Sequence, residues 1–204
     1  MKYKLYNKDL PTSFQFSKIV AIDTETMGLK LNRDRLCLVQ ISNGDGIAHL
    51  IKIPAEGNNK FSTLVKMFRD KSITKIFHYA RFDIAVIQKN ICEINGPIFC
   101  TKIASKLSRT FGAKHGLKDL CSDLLGIELD KENQISDWGT DKLSEQQLRY
   151  ASNDVLYLHA LKTKLNELLK REQKYELAHK CFEFIKTRSK LDLEGFDDLD
   201  IFSQ

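Results

Sequence analysis

Three short apolar runs rich in β-branched residues come first along the chain, each of strand length. Lys18-Ile19-Val20-Ala21-Ile22-Asp23 is continuous enough to be a buried central strand. Leu36-Cys37-Leu38-Val39-Gln40-Ile41-Ser42 is the second run, and Ile47-Ala48-His49-Leu50-Ile51 is the third. Asn43-Gly44-Asp45-Gly46 between them is a hairpin signal, which makes these two runs antiparallel neighbours. The period then changes to helical, with Phe61, Leu64, Val65 and Phe68 on one face. Residues 72–77 return to a strand pattern, a helix starts near Phe82, and Pro97-Ile98-Phe99-Cys100 forms a short fifth strand. Helices at about 101–110 and 117–125 lead into a Gly/Asn/Asp-rich connection over roughly 126–143.

Ser144-Glu145-Gln146-Gln147 has the form of a capping box, and Leu143 and Leu148 are spaced as a hydrophobic staple. A long helix follows. Leu148, Ala151, Val155 and Leu158 carry its apolar face, which Leu161, Leu165 and Leu168 continue. A last amphipathic helix covers about 175–188. Three strands, then alternating helices and strands, then helices alone describe an α/β domain with a mixed five-stranded sheet.

Length and composition narrow this picture. The 204 residues suit one domain, and 42% hydrophobic content excludes general disorder. No apolar stretch is long enough to span a bilayer, and Met1 to Asn7 lacks the apolar core of a signal peptide. The expectation is a soluble cytoplasmic protein. Cys37, Cys92, Cys100, Cys121 and Cys181 are odd in number and scattered, which fits a reducing compartment rather than a disulfide framework or a zinc site.

Net charge is +5 but uneven. The last fourteen residues hold five of the 27 acids and no Lys or Arg, so residues 1–190 carry 32 basic against 22 acidic residues, a net +10. A basic body favours an anionic partner, commonly nucleic acid. A boundary at 190 divides a single folded domain, 1–190, from an acidic and apolar tail, 191–204. That tail carries Leu191, Leu193, Phe196, Leu199, Ile201 and Phe202 among its acids. Such a segment calls for a basic, partly apolar docking surface, on the chain's own helices or on a neighbouring subunit.

Candidate chemistry gathers at the end of the first run. Strand side chains alternate, so Asp23 and Glu25 of Asp23-Thr24-Glu25 point the same way. Paired carboxylates at a strand end repel unless a cation offsets them, and hard divalent ions take such oxygen ligands. Two solvated acids at a loop mouth are the plainer alternative. Asp83 falls in the first turn of a helix after a strand, where the helix dipole alone favours an acid. Tyr150 and Asp154 share a helix face bordering the apolar stripe. A buried-edge Asp there needs a partner, whether a metal or the Tyr150 hydroxyl. The polar stretch from Leu129 to Trp138 reads as a loop pinned by the chain's single Trp.

Together these motifs resemble the DEDDy 3′–5′ exonucleases, specifically the ribonuclease D family. The resemblance runs from about residue 18 to 168 and includes His78-Tyr79-Ala80-Arg81-Phe82-Asp83 and Gln134-Ile135-Ser136-Asp137-Trp138. Tyr79 and Cys100 depart from the Asn and Asp usual in the family. The short form is similar to the small single-domain alphaproteobacterial members, which degrade RNAs down to dinucleotides and form ring-like homo-octamers.

The resemblance implies a ribonuclease H-like sheet with four carboxylates, Asp23, Glu25, Asp83 and Asp154, converging at its edge. It implies two divalent ions per site, Mg²⁺ or Mn²⁺, about 4 Å apart on the scissile phosphate. It further implies that Asp23 would bridge both ions and that Tyr150 would orient the attacking water. Thr24, Leu29, His78, Gln134, Ser136 and Trp138 are the implied substrate contacts, with Leu29 as a wedge between the last two bases and His78 near phosphate. The expected reaction is 3′–5′ hydrolysis of short single-stranded RNA to nucleoside 5′-monophosphates. Ribonuclease D-like tRNA 3′-end processing and cleavage of single-stranded DNA remain the alternatives.

Overall fold

The computed structural model describes residues 2–55, 61–111, 114–129 and 136–203. In chain order the elements are β1 (Lys2–Asn7), β2 (Ile19–Thr26), β3 (Leu36–Ser42), β4 (Ile47–Lys52), α1 (Ser62–Arg69), β5 (Thr74–Phe77) and α2 (Ala80–Asn90). β6 (Ile98–Cys100), α3 (Thr101–Ser108), α4 (Leu117–Leu125), α5 (Glu145–Leu156), α6 (Leu158–Arg171) and α7 (Tyr175–Leu193) complete the fold.

The sheet runs β1-β4-β3-β2-β5-β6. β3 and β4 form the expected antiparallel hairpin and β2 pairs antiparallel with β3, while β1 joins β4, β5 joins β2 and β6 joins β5 in parallel. β2 therefore lies inside the sheet, and Val20, Ala21 and Ile22 are fully buried. The parallel partners on its β5 side make the chain leave β2 and β5 at the same sheet edge. That common edge is where Asp23, Glu25 and the start of α2 come together.

The mixed α/β architecture is as expected, but the sheet has six strands rather than five. Lys2 to Asn7 has no period-two apolar face: only Tyr3 and Tyr6 are half-buried, and Lys2, Lys4, Leu5 and Asn7 are exposed. Such a strand is held by pairing along β4 rather than by burial, and its lysines suit an unprotected edge.

The long helix expected from Ser144 through Leu168 is two helices. At Tyr157 the helical hydrogen-bond pattern breaks: φ −101° and ψ −6° stay right-handed, but the Tyr157 N–H turns to the Val155 carbonyl. Val155, Leu158, Leu161 and Leu165 are all fully buried, so the apolar period passes through the break unchanged and conceals it. The break lets α5 lie against β2, β3 and β4 while α6 turns to α3. His159 Nε2 meets the Ile19 carbonyl at 3.0 Å, which ties the start of α6 to the start of β2.

The C-terminal helix extends past the expected end at 188 to Leu193, so position 190 lies within α7. The helix packs on α2. Arg81 grips Asp192 with two bonds, Nε to Oδ2 at 2.5 Å and Nη2 to Oδ1 at 2.8 Å. Arg188 donates to the carbonyls of Phe196, Asp197 and Leu199. The tail thus folds back on the chain's own helices, Asp192 and the carbonyls of Phe196, Asp197 and Leu199 meeting two arginines. Among the described residues no helix is long and apolar enough to cross a membrane.

The capping box at α5 is fully formed: Gln147 N donates to Ser144 Oγ at 3.1 Å, and Ser144 N donates to Gln147 Oε1 at 2.8 Å. Ser144→Ala removes one half of it. The expected cost is about 1 kcal/mol. Thermal unfolding should record this as a melting temperature lower by about 2–4 °C; an unchanged melting temperature would mean that water replaces the hydroxyl without loss.

Candidate active site

β2 delivers Asp23 and Glu25 to the sheet edge on one face, half-buried. α5 delivers Asp154. Carboxylate oxygens of Asp23, Glu25 and Asp154 all lie within 4.8 Å of one another. Asp83 arrives differently. Between β5 and α2 the backbone turns at Tyr79, a bulky residue held in the left-handed region at φ 67° and ψ 42°. The turn starts α2 at once and puts Asp83 in its first turn, 4% exposed. Thr24, whose side chain leaves β2 opposite to Asp23 and Glu25, donates its hydroxyl to Asp83 Oδ1 at 2.7 Å. Three acids thus meet on one side of β2, and the fourth is tethered through the residue between two of them.

Asp23, Glu25, Asp83 and Asp154 have no basic partner: among the described residues no salt bridge includes any of them. Asp154 Oδ2 is buried with no hydrogen-bond partner. Burial, then the charges of Asp83, Asp154 and Glu25, raises the Asp23 carboxyl well above its ordinary range. Burial, then Asp154 and Asp83, does the same to Glu25. Burial lifts Asp83 to about 7 despite the Thr24 hydrogen bonds, and burial with the charge of Asp83 lifts Asp154 to about 8. Clustered carboxylate oxygens with one orphan acceptor form a donor set that fits a hard divalent cation.

Tyr150 stands on α5 one turn before Asp154, its ring 6.1 Å from that of Trp138. Burial and the neighbouring carboxylates raise its phenol far above the ordinary value, so the hydroxyl stays protonated and cannot serve as a base. His78 is also neutral: burial, then Lys102, lowers it to about 3, and Nδ1 lies 2.9 Å from Thr101 Oγ1. Any contact from His78 to phosphate is therefore that of a neutral ring rather than a cation.

These groups line one cleft of about 430 Å³. It contains Asp23, Glu25, Asp83, Tyr150 and Asp154, together with Thr24, Leu29 and His78. Leu29 is 82% exposed at the mouth, an apolar side chain offered to whatever enters. Its loop is pinned beneath Gly28, where a Cβ would collide with the Asp34 carboxylate. Thr24 also lines the cleft, its hydroxyl donating to Asp83.

Ser136 and Trp138 are not brought into the cleft lining. Ser136 Oγ accepts from Gln147 Nε2 at 2.7 Å, and Trp138 is 3% exposed behind Tyr150. Both brace α5. Gln134 lies outside the described residues.

Sequence reasoning did not single out Lys102, Lys118, Asn153 or Asp119, which also line the cleft. Lys102 comes from α3, reaches over the Tyr79 ring at 4.3 Å, and is close only because the β5–α2–β6–α3 crossover returns the chain to the same edge. Gln40 was also overlooked: its Nε2 donates to Asp23 Oδ2 at 3.3 Å. The cleft therefore has an acidic floor and two lysines beside it.

Comparison with known proteins fits this geometry. The 3′–5′ exonuclease family pattern matches residues 5–170. The ribonuclease D of Acidiphilium cryptum is 34% identical over 153 residues, 75% of this chain and 38% of its own length. The chain thus spans about two-fifths of that curated relative. Among solved structures, Brucella melitensis NrnC bound to pGG superposes with a TM-score of 0.94 at 50% identity, covering 100% of this chain and 99% of that one. The same protein with bound Mg²⁺ gives 0.93, again at 50% identity and with full coverage of both chains.

The unpaired acids have a consequence for stability. Folded-state carboxyls raised above their unfolded values hold protons more tightly in the native protein, so stability falls as pH rises. The fall spans the ordinary carboxylate range near 3.8 up to about 8. In EDTA the melting temperature should drop between pH 6 and 9, and Mg²⁺ should restore it. Asp154→Asn should raise the metal-free melting temperature at pH 8, by about 2–4 °C for each kcal/mol of relieved repulsion. A metal-free protein equally stable at both ends of that window would show that the four charges do not strain the fold.

Proposed function

The chain belongs to the 3′–5′ exonuclease family, and on that premise we propose that it is a metal-dependent 3′–5′ exoribonuclease. Its substrate is short single-stranded RNA, down to dinucleotides, and its products are nucleoside 5′-monophosphates. One observation carries the reading: Asp23, Glu25 and Asp154 offer oxygens within 4.8 Å of one another in the cleft that also holds Asp83 and Tyr150. The NrnC structures with pGG and with Mg²⁺ support the substrate size and the ion.

Asp23, Glu25, Asp83 and Asp154 would hold two divalent ions, Mg²⁺ or Mn²⁺. Such a pair, when bound, supplies a water of lowered pKa and electrostatic stabilisation of the scissile phosphate. The chain's own residues do the rest. Tyr150, protonated and braced by Trp138, directs its hydroxyl at the attacking water and fixes it for in-line displacement. Leu29 separates the terminal bases at the cleft mouth. Lys102 and Lys118 offset phosphate charge beside the acids. Residues 1–190 form the exonuclease domain in this reading and 191–204 its tail, and five free cysteines support a reducing, cytoplasmic setting.

A homo-oligomer, an octamer, is part of the same proposal. Leu177, Phe184, Leu199 and Phe202 are large apolar side chains left 41–74% exposed on α7 and the tail. Light scattering at micromolar concentration should give a mass several times that of one chain; a monodisperse monomer overturns this part.

The enzymatic reading is tested with 5′-labelled RNAs from two nucleotides upward, with Mg²⁺ and Mn²⁺ in turn. Short RNAs should be cut at least as fast as long ones, and EDTA should stop the reaction. Asp23→Ala, Glu25→Ala, Asp83→Ala and Asp154→Ala should each nearly abolish cleavage. Tyr150→Phe should slow the chemical step by roughly 10²–10⁴ with little change in RNA affinity. Full activity in any carboxylate variant, or in EDTA, removes the two-ion mechanism; an unchanged single-turnover rate for Tyr150→Phe assigns that residue to packing.

A further inference from the structure

We propose that Gln40 is a positioning residue for the metal site, its side-chain amide fixing the Asp23 carboxylate without neutralising it. The proposal rests on the exonuclease reading above. Gln40 stands directly opposite Asp23 in the antiparallel β2–β3 register, so the two side chains share a face. It is fully buried. Its Nε2 donates to Asp23 Oδ2 at 3.3 Å, while its Oε1 has no partner. Against an ionised Asp23, the form that binds a cation, turning the amide over would set Oε1 against the carboxylate, acceptor against acceptor, so Nε2 is the end that must face Asp23. Apart from Gln40 and the terminal Ser42, β3 buries only Leu36, Cys37, Leu38, Val39 and Ile41. A long apolar residue at position 40 would fill the same space without stranding an acceptor. The chain keeps an amide there, at a cost, and the group that benefits is Asp23.

The neutrality of the donor matters. A Lys or Arg at position 40 would pair with Asp23 and compete with a divalent ion for its oxygens. An amide instead holds one oxygen in place and leaves the full negative charge for the metal, as outer hydrogen bonds do for ligating carboxylates. Thr24 does the same for Asp83, a neutral hydroxyl at 2.7 Å. Asp23 is the acid with most at stake, because its neighbours Asp83, Asp154 and Glu25 all push on it and one rotamer must serve all of them.

Gln40→Met keeps the length of the side chain and removes both the N–H and the stranded oxygen. Calorimetric titration of Mg²⁺ into protein without RNA should show affinity weakened by about 10–100-fold. At saturating Mg²⁺, kcat should fall while KM for a short RNA holds, and metal-free thermal stability should stay level or rise. Wild-type Mg²⁺ affinity and kcat in Gln40→Met overturn the proposal. If that variant does not fold, the wild-type protein decides: the Gln40 side-chain amide signals in a nitrogen–proton correlation spectrum should move on addition of Mg²⁺, and signals that stay put overturn it. A wild-type protein that binds no Mg²⁺ and cuts no RNA removes the exonuclease reading itself, an outcome distinct from a cutting enzyme indifferent to position 40.

Discussion

Mutual repulsion among four carboxylates is the constraint on which this structure turns. Asp23, Glu25, Asp83 and Asp154 meet at one sheet edge, are all raised above their ordinary pKa values by burial, Asp23, Glu25 and Asp154 also by neighbouring acids, and have no basic partner among the described residues. Left to itself such a cluster would spread apart. It is held because each acid is fixed to a well-packed element: β2 has neighbours on both sides, and α5 is capped at its start and packed along β2, β3 and β4. The surrounding core is extensive, so local strain is tolerable, and a bound cation would relieve it. Folding and metal binding are thereby linked.

Convergence of the four acids depends on local features of the backbone. Alternation along β2 separates Asp23 and Glu25 from Thr24, so one strand serves two groups of acids. The left-handed turn at Tyr79 lets α2 begin within two residues of β5, which sets Asp83 at the sheet edge instead of a turn deeper. The break at Tyr157 frees α5 from the direction of α6, so Tyr150 and Asp154 aim at β2 while Leu161 and Leu165 still fill the core. A strained φ at a site of charge accumulation is the kind of local cost that a rigid surround can hold in place.

The acids were legible in the sequence because each follows a strong local signal: a β-branched run before Asp23, a strand-to-helix change before Asp83, a capping box before Tyr150 and Asp154. What escaped was either silent in the period or long-range. β1 has no apolar alternation, since pairing with β4 rather than burial keeps it in place. The helix break preserves the apolar spacing on both sides. Trp138 and Ser136 occur in a motif just before α5, yet only the fold shows that they brace that helix from behind. Gln40 sits in a run that reads as plain buried strand, and its role appears only when the β2–β3 register puts it opposite Asp23.

The groups around the acids share a property. Gln40, Thr24 and Tyr150 are neutral hydrogen-bonding side chains, and the last keeps its proton because the surrounding negative charge opposes ionisation. Cations stand apart: Lys102 lies over the Tyr79 ring, and neither it nor Lys118 pairs with any of the four carboxylates. Electrostatics explains this sorting. An ammonium in salt-bridge contact with Asp23 would stabilise the empty protein, and a divalent ion would then have to displace it. Neutral donors set the geometry of the carboxylates and leave their charge unspent. The same lysines line the cleft without touching the acids, and their positive charge offsets the repulsion that its floor would exert on an entering anion. Stability is thus given up at the acids so that the charge there remains available to the metal.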